Sequence, residues 1–276
     1  KKKNKLTFII GIVTFNRVNY LKKCISSLLE SLSNEVDYIF IFANGNSSDD
    51  TSSFINNLEV NDNISVYHII NEDNFIYRQS NSILLFSENF NYDFGFIIND
   101  DLLFIQKEWD KRYYNAYKKY DFDHLVYFDY NFKSKDHHNK HNILESFCKP
   151  QNCMGALFTF TKKLVKEIGY FDEENFKIRG HSHIDFTIRC CRKKFNNNKY
   201  LYDIKDSIKY ITLIKDNYES TFSKIPFYLR ELFKVDYFEE ERRMKIINDN
   251  TRLYINKIFD INYNNLPIQS NLLIKE

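Results

Sequence analysis

The sequence has almost no excess of charge of either sign. Its 276 residues include 39 basic and 37 acidic side chains, which give a net charge of +2 at pH 7. A chain with this balance has no overall field that would attract nucleic acid or an anionic membrane. We therefore expect no nucleic-acid partner, and local groups must hold any anionic ligand.

Long apolar runs and regular cysteine motifs are also missing. No stretch approaches the roughly 20 apolar residues that span a bilayer, and the N-terminus has no signal-peptide profile. The five cysteines show no repeated CxxC spacing of the kind that structural zinc sites use. We expect a cytoplasmic protein with reduced thiols and no transmembrane segment.

Glycine and proline are scarce, with 6 and 3 copies, while Asn, Lys, Ile, Tyr and Phe dominate. This composition indicates the codon bias of an AT-rich genome, so tracts of asparagine carry no functional argument. The length is sufficient for one large domain with a sizeable core.

Apolar segments that alternate with helical patterns predict a mainly parallel α/β sheet. The first segment, "LTFIIGIVT", is a continuous run of apolar and β-branched residues, as a strand buried on both faces requires. The pattern that follows it places Val18, Leu21, Ile25 and Leu28 on one face of a helix. Such alternation implies right-handed crossovers between parallel strands. The four predicted strands are Leu6 to Thr14, Tyr38 to Ala43, Ile64 to Ile70 and Phe94 to Ile98.

The second half of the chain has a mixed pattern. "GALFTFT" predicts another strand, "KKLVKEIGYFDE" a short helix capped by Gly169, "GHSHIDFTIRCCRKKF" a further helix, and "KYLYDIKDSIKYITL" two short closing strands. The segment "NFKSKDHHNKHN" predicts a polar loop. Residues 216–276 predict an amphipathic helical extension that packs on the body or on a partner, with a homodimer as one option.

A polar cluster follows each of the four predicted strands: "TFNR", "NGNSSDD", "NEDN" and "NDD". In open sheets of this type, ligands bind outside the carboxyl ends of the strands. Asp100 and Asp101 lie at the end of a buried strand, where desolvation disfavours their charged forms unless a cation compensates. The pair predicts a site for Mg²⁺ or Mn²⁺ that also binds a diphosphate. A capped strand end or two solvated loop acids are the alternatives.

Several of these segments together resemble the motif series of family 2 glycosyltransferases, which have the GT-A fold. They are "IGIVTFNRVNYLKKCISSLL", "ANGNSSDDT", "FIINDD" and "GALFTFTKKLVKEIGYFDE" followed by "GHSHIDFTIR". The resemblance covers about Lys5 to Thr212. It implies a GT-A domain over residues 1–215, with a donor-binding half at about 5–104 and an acceptor and catalytic half at about 105–215.

The resemblance also implies the chemistry. A hexosyl- or N-acetylhexosaminyltransferase would move a sugar from a nucleotide-sugar donor to a glycan or glycosylated acceptor, with inversion and with Mn²⁺ or Mg²⁺. Asn44 stands where the family has a base-recognising acid, and uridine is the expected base. The implied donor-binding residues are Thr14, Asn16, Arg17, Asn44, Asn46, Asp49, Arg78, Asn81, Asn99 and Asp100.

The implied metal ligand is Asp101, the last position of a DXD-like motif in which Asn99 takes the first place. The general base that inverting transfer requires falls at His183, with Asp185 as the second candidate. Gly155 and Ala156 would line the sugar pocket.

Simpler structural roles compete with these assignments. Asp185 and Arg189 are four residues apart and are able to form an ion pair on one helix. Arg78 is either a phosphate contact or a solvated helix charge. Trp109 and nearby tyrosines are more typical of a core than of an acceptor platform. A zinc cluster of His137, His138, His141, Cys148 and Cys153 matches no standard spacing, and a solvated loop is favoured.

Two other functions remain open at this stage. The substitutions at Asn44, Asn99 and Ser182 leave room for a non-catalytic nucleotide- or carbohydrate-binding module on the same scaffold. A sugar nucleotidyltransferase is less favoured, because it needs a glycine-rich phosphate loop and "GIVTFNR" does not provide one.

Overall fold

A computed structural model describes residues 5–128, 144–148, 155–173, 182–195 and 201–214. The predicted polar loop at residues 131–142, most of the alternative zinc cluster and the predicted extension at 216–276 lie outside these residues. The strands are β1 (Leu6–Thr14), β2 (Val36–Asn44), β3 (Ile64–Ile70), β4 (Phe94–Asn99), β5 (Leu102–Phe104), β6 (Leu144–Cys148), β7 (Leu157–Phe160), β8 (Leu201–Ile204) and β9 (Ile211–Leu213). The helices are α1 (Val18–Ser31), α2 (Thr51–Asn56), α3 (Ile76–Ser87), α4 (Trp109–Tyr120), α5 (Lys162–Ile168) and α6 (Ser182–Arg192).

The central sheet has the strand order β3-β2-β1-β4-β7. Strands β1 to β4 pair in parallel, and β7 is antiparallel to β4. The register aligns Thr14 of β1 with Asn44 of β2, and Val13 of β1 with Asn99 of β4. The prediction of a mainly parallel α/β sheet is therefore confirmed, and the carboxyl ends of β1, β2 and β4 lie at one edge.

Strand β1 contributes its side chains to two apolar layers, one on each face of the sheet. Phe8, Ile10 and Ile12 belong to the layer that includes α1 and Trp109 of α4. Ile9 and Val13 belong to the layer that includes α3, α5 and α6. Burial on both faces explains why the strand is apolar at successive positions from Phe8 to Val13.

Gly11 gives helix α3 room to approach β1. A Cβ atom at this position would lie 2.4 Å from Cγ2 of Ile83. A larger residue here would collide with the buried side chain of Ile83, which would have to shift within a closely packed layer.

Two small antiparallel sheets extend the molecule beyond β4. Strand β5 pairs with β9, and β6 pairs with β8. The two closing strands predicted near residues 200–213 are therefore present, although they pair in separate sheets. The backbone N–H of Ile214 donates to the carbonyl oxygen of Asp101 at 2.8 Å, which fixes the main chain beside the acidic pair.

The aromatic and cysteine side chains of the described part are mostly core. Trp109 and Tyr113 are fully buried, as predicted. Cys24, Cys190 and Cys191 are buried, and burial raises the pKa of the Cys24 and Cys190 thiols. Across the described ranges, no helix combines the length and apolar character that crossing a membrane requires.

Candidate donor-binding site at the carboxyl edge of the sheet

The acidic pair lies at the carboxyl edge of the sheet and is held by two residues that follow β1. Thr14 Oγ1 donates to Asp100 Oδ2 at 2.8 Å. The guanidinium of Arg17 contacts both acids, with Nη1 at 3.0 Å from Asp100 Oδ1 and Nη2 at 3.1 Å from Asp101 Oδ2. Both carboxylates are buried. The structure thus brings together four of the residues predicted from sequence.

The electrostatics of this group follow from burial. Burial raises the pKa of Asp100 to about 7, Arg17 opposes that shift, and the neighbouring Asp101 adds to it. Two adjacent carboxylates away from water are costly as a pair of anions, and one guanidinium compensates only one of the two charges. The site is therefore short of positive charge when both acids are ionised.

One carboxylate oxygen of the acidic pair is not satisfied by any described residue. Asp101 Oδ1 is buried and has no hydrogen-bond partner among the residues that the structure describes. A buried carboxylate oxygen without a partner is unfavourable unless a ligand satisfies it. Carboxylate oxygens are ligands that Mg²⁺ and Mn²⁺ prefer. The residues present therefore fit a divalent cation at Asp101.

The described part of the chain supplies few ligands for such a cation. Among the residues that the structure describes, no group of three or more His, Cys, Asp or Glu side chains is placed to hold a metal ion. A hard cation held by one carboxylate takes its remaining ligands from phosphate oxygens and water. A cation at Asp101 would therefore depend on a phosphate-containing ligand.

The loops after β1 and β2 are joined by hydrogen bonds. Asn16, which has a φ of 49°, accepts from the backbone N–H of Ser48 at 2.7 Å, and its own N–H donates to Ser47 Oγ at 2.9 Å. Asp49, in the loop after β2, accepts from the N–H of Val18 at 3.0 Å and so caps the N-terminus of helix α1. Together these bonds build one surface from two predicted donor-binding loops.

Asp49 is suited to remain an anion in this position. Desolvation raises its pKa, but hydrogen bonds from Thr51 and Val18 outweigh that effect and lower the pKa below its ordinary value. A carboxylate at the N-terminus of α1 is also favoured by the helix dipole. Asn46 is exposed on the same loop, with a φ of 61°.

The side chain of Asn44, predicted at the position of the family's base-recognising acid, forms hydrogen bonds within the protein. It is fully buried. The Oδ1 atom accepts from the N–H of Ser47 at 2.9 Å, and Nδ2 donates to Ser52 Oγ at 2.9 Å and lies 3.4 Å from His68 Nε2. The structure thus places Asn44 beneath the loop, where it shapes the backbone.

Arg78 and Asn81 connect α3 to the segment after α5. Arg78 pairs with Asp73 and lies with Nε 3.6 Å from Glu173 Oε2. Asn81 accepts from the N–H of Phe171 at 2.8 Å, and its amide donates to the carbonyl of Phe171 at 3.0 Å and to Glu173 at 2.6 Å. Arg78 is therefore an ion-paired residue, and neither alternative drawn from the sequence included Asp73 and Glu173 as its partners.

His183 packs against Gly155. The next residue, Ala156, is hydrogen-bonded to Asn99, which directly precedes the acidic pair. A Cβ atom at Gly155 would lie 2.9 Å from Cγ of His183, and the φ of Gly155 is +71°. Glycine is favoured on both counts. The carbonyl oxygen of Ala156 accepts from the N–H of Asn99 at 2.9 Å. The predicted base, the predicted pocket residues and the DXD-like segment are thus joined by direct contacts.

Asp185 takes part in a buried ion pair. Its Oδ2 atom lies 3.1 Å from Nε of Arg189, four residues further along α6. Arg189 also donates to the carbonyl oxygens of Ile168 at 2.8 Å and Tyr170 at 2.7 Å. The pair fastens α6 to the end of α5, which is the structural alternative considered from the sequence.

Comparison with known proteins assigns the family. The model of "Glycosyl transferase family 2" matches residues 9–201, and the chain belongs to this family. The family match and the observed sheet together confirm the GT-A fold prediction. A curated relative, an uncharacterized glycosyltransferase of Acanthamoeba polyphaga mimivirus, is 29% identical over an alignment of 150 residues that covers 50% of this chain and 56% of that protein. The chain therefore aligns with little more than half the length of that relative.

Solved structures show a distant likeness. S. aureus TarS in complex with UDP-GlcNAc has a TM-score of 0.48 and 18% identity, and the match covers 66% of this chain and 52% of that one. A mannosyltransferase from Pyrobaculum calidifontis in complex with GDP-Man and Mn²⁺ has a TM-score of 0.48 and 10% identity, over 70% of this chain and 53% of that one. These similarities are too low to transfer a ligand.

Proposed function

We propose that this chain is a metal-dependent glycosyltransferase that moves a hexosyl or N-acetylhexosaminyl group from a nucleotide-sugar to a glycan or glycosylated acceptor. The observation that supports this most directly is the buried Oδ1 of Asp101, which no described residue pairs with. It lies at the carboxyl edge of a parallel sheet, where ligands of such sheets bind, in a chain of family 2.

Asp101 would hold Mn²⁺ or Mg²⁺. When bound, the cation would neutralise charge on the nucleoside diphosphate that departs from the sugar. Thr14 and Arg17 contribute by holding Asp100 and Asp101 in one arrangement. Because these contacts are made by the protein's own side chains, little reorganisation would be needed when the donor binds.

The loop built by Asn16, Asn46, Ser47, Ser48 and Asp49 is the proposed contact surface for the nucleoside. Asn44 supports this loop from below, so base selection would come from the loop backbone and its exposed groups. UDP is the first donor nucleotide to test, since it is the one that the family resemblance implies.

His183 is the proposed general base. In inverting transfer, the acceptor oxygen forms a bond to the anomeric carbon while the bond from that carbon to the diphosphate oxygen breaks. The proton of the acceptor hydroxyl passes to a nitrogen of His183, which is chemically suited to this step near neutral pH. Gly155 and Ala156 would place the sugar next to His183, because they offer little side-chain bulk.

The test combines a panel of nucleotide-sugars with Mn²⁺ and measures sugar release and nucleotide binding. Asp101→Asn should abolish Mn²⁺-dependent nucleotide binding and leave the fold intact, while exposed Asp62→Asn serves as the control. Unchanged Mn²⁺-dependent binding in Asp101→Asn would remove Asp101 from the metal site. Nucleotide binding without sugar release from any donor would favour a non-catalytic binding module.

The role of His183 has a separate test. His183→Gln should lower turnover strongly and change donor affinity little, since a general base acts mainly in the transition state. Equal turnover of His183→Gln and the wild type would place the base elsewhere.

A further inference from the structure

Arg17 forms a bridge between the two acids. Its two terminal nitrogens lie 3.0 Å from Asp100 Oδ1 and 3.1 Å from Asp101 Oδ2. Thr14 donates to the other oxygen of Asp100, and within the described part of the chain Asp101 Oδ1 has no partner. Three of the four carboxylate oxygens are therefore satisfied by the protein, and the single remaining one lies next to a guanidinium.

The charges around this remaining oxygen limit when a cation can bind. The ionised acids carry two negative charges and Arg17 carries one positive charge, so a divalent cation alone would make the cluster positive by one. A nucleoside diphosphate adds two or three negative charges and reverses that sign. Charges held within a few ångströms in a partly buried site interact strongly. The cation bound alone and the cation bound together with the diphosphate therefore differ in free energy.

Arg17 is placed to meet both ligands. Its side chain is 21% exposed, whereas those of Asp100 and Asp101 are 3% and 8% exposed. The guanidinium carbon lies 4.6 Å from the centre of the Tyr20 ring, which holds the side chain at the rim of the site. A guanidinium at this point faces the acids with one edge and leaves other donors for a phosphate.

We propose that Arg17 makes cation binding conditional on the nucleoside diphosphate, so that the two ligands bind as a pair. The guanidinium acts as the resident cation of the acidic pair and disfavours a second cation until a diphosphate is present. The inference rests on the proposed function, because it requires the cation at Asp101. It assigns Arg17 a role in binding order that goes beyond contact with the donor.

A purely structural ion pair is the competing explanation. A guanidinium that served only to neutralise the acids would be expected to leave no buried carboxylate oxygen unsatisfied. The unpaired Asp101 Oδ1 instead marks a position that no side chain of the described ranges fills. Asp185 shows the contrast, since its partner Arg189 is completely buried and is bonded to two main-chain carbonyls.

The experiment measures Mn²⁺ binding directly, from the electron paramagnetic resonance signal of free Mn²⁺, with and without UDP. The wild type should bind Mn²⁺ at least tenfold more tightly when UDP is present. In Arg17→Gln, binding of Mn²⁺ alone should tighten about three- to tenfold, and the effect of UDP should fall below threefold. Coupling is reciprocal, so the effect of Mn²⁺ on UDP affinity must fall by the same factor.

Two further variants test the role of the positive charge and provide a control. Arg17→Lys keeps the positive charge and should retain part of the coupling, and it also tests the idea if Arg17→Gln does not fold. Arg112→Gln is the matched control, since Arg112 lies 4.4 Å from the centre of the Tyr210 ring and contacts no part of the acidic pair in the described contacts. This control should bind both ligands as the wild type does.

The outcomes distinguish the inference from the proposed function. If the wild type shows coupling and Arg17→Gln shows the same coupling and the same affinity for Mn²⁺ alone, the role of Arg17 is wrong and the metal site stands. If the wild type binds Mn²⁺ equally well with and without UDP, the inference is also wrong. If the wild type binds neither Mn²⁺ nor any nucleotide, the proposed function fails and the inference fails with it.

Discussion

The hydroxyl of Thr14 donates a 2.8 Å hydrogen bond to Asp100, although the two residues are 86 positions apart. Thr14 ends β1 and Asp100 follows β4 directly. The bond exists because parallel strands end at the same edge of the sheet. It joins the first predicted donor loop to the DXD-like segment.

We expect Thr14→Val to weaken the protein. Valine has nearly the same shape but no hydroxyl, so it leaves a buried carboxylate oxygen unpaired at a cost of about 1–3 kcal/mol in the free energy of unfolding. Urea denaturation measures this loss, and Thr14→Ser, which keeps the hydroxyl, is the control. Equal stability of Thr14→Val and the wild type would show that the bond contributes nothing.

The main sheet could be predicted from sequence because its strands are buried on both faces. The predicted bounds of β1 and β3 agree with the structure, and the predicted β2 and β4 segments are each shorter than the observed strands. Strands β5 and β6 were not predicted. β5 has only three residues and pairs with β9, more than a hundred positions away. A segment of that length has no periodicity of its own, so tertiary pairing decides its structure.

The candidate site was predictable in its position and less so in its contacts. The rule that ligands bind at the carboxyl ends of strands correctly grouped the loops after β1, β2 and β4. The sequence did not indicate that Arg17 would bridge Asp100 and Asp101 or that Asn44 would be buried. Those outcomes depend on side-chain directions after the loops have packed, and residue type alone does not determine them.

Asn81→Asp should destabilise the contact between α3 and the segment after α5. The change replaces two amide donors by a second acceptor, which would face the carbonyl of Phe171 and the carboxylate of Glu173. We expect a loss of about 1–3 kcal/mol in the free energy of unfolding. The control is Asn57→Asp, an exposed amide bonded to Ser53, which should stay within about 0.5 kcal/mol of the wild type. Similar losses in both variants would contradict the role given to Asn81.

Asp185→Asn should act on stability and not selectively on turnover. Removing the carboxylate leaves the buried charge of Arg189 without its counter-ion, and breaking such a pair costs about 3–5 kcal/mol. Asp206→Asn breaks the exposed pair with Lys209 and should change stability by about 1 kcal/mol at most. A stable Asp185→Asn variant with greatly reduced turnover would instead make Asp185 the base.

Gly155→Ala should displace His183. The new Cβ atom would lie 2.9 Å from Cγ of His183, and alanine is strained at a φ of +71°. Turnover should fall at least tenfold. This fall should be larger than the decrease in the fraction of folded protein explains. Gly169→Ala is the matched control, because Gly169 has a φ of 76° at the end of α5 and shares only the backbone strain. Equal turnover in the two variants would separate Gly155 from the function of His183.

His124 provides a prediction about pH. It is fully buried, with Nδ1 3.2 Å from the carbonyl oxygen of Thr159 and Nε2 3.0 Å from Thr187 Oγ1. The carbonyl can only accept, so Nδ1 carries the proton and Nε2 accepts from Thr187. Burial lowers the pKa of His124 to about 4. The folded protein therefore holds this imidazole neutral at a pH where the unfolded chain, with a pKa of about 6.5, already binds a proton.

Because the unfolded state binds more protons between pH 6.5 and 4, stability should fall as the pH decreases through that range, by up to about 3 kcal/mol from this group. His124→Gln removes the group, so the variant should be less stable than the wild type at pH 7, and the gap should narrow as the pH falls to 4.5. Urea denaturation at several pH values measures the gap. His68→Gln, at a half-buried histidine whose pKa burial also lowers, should show a smaller change. A gap between wild type and His124→Gln that stays constant from pH 7 to 4.5 would contradict the assignment, because protonation of His124 is the step that links its burial to acid sensitivity.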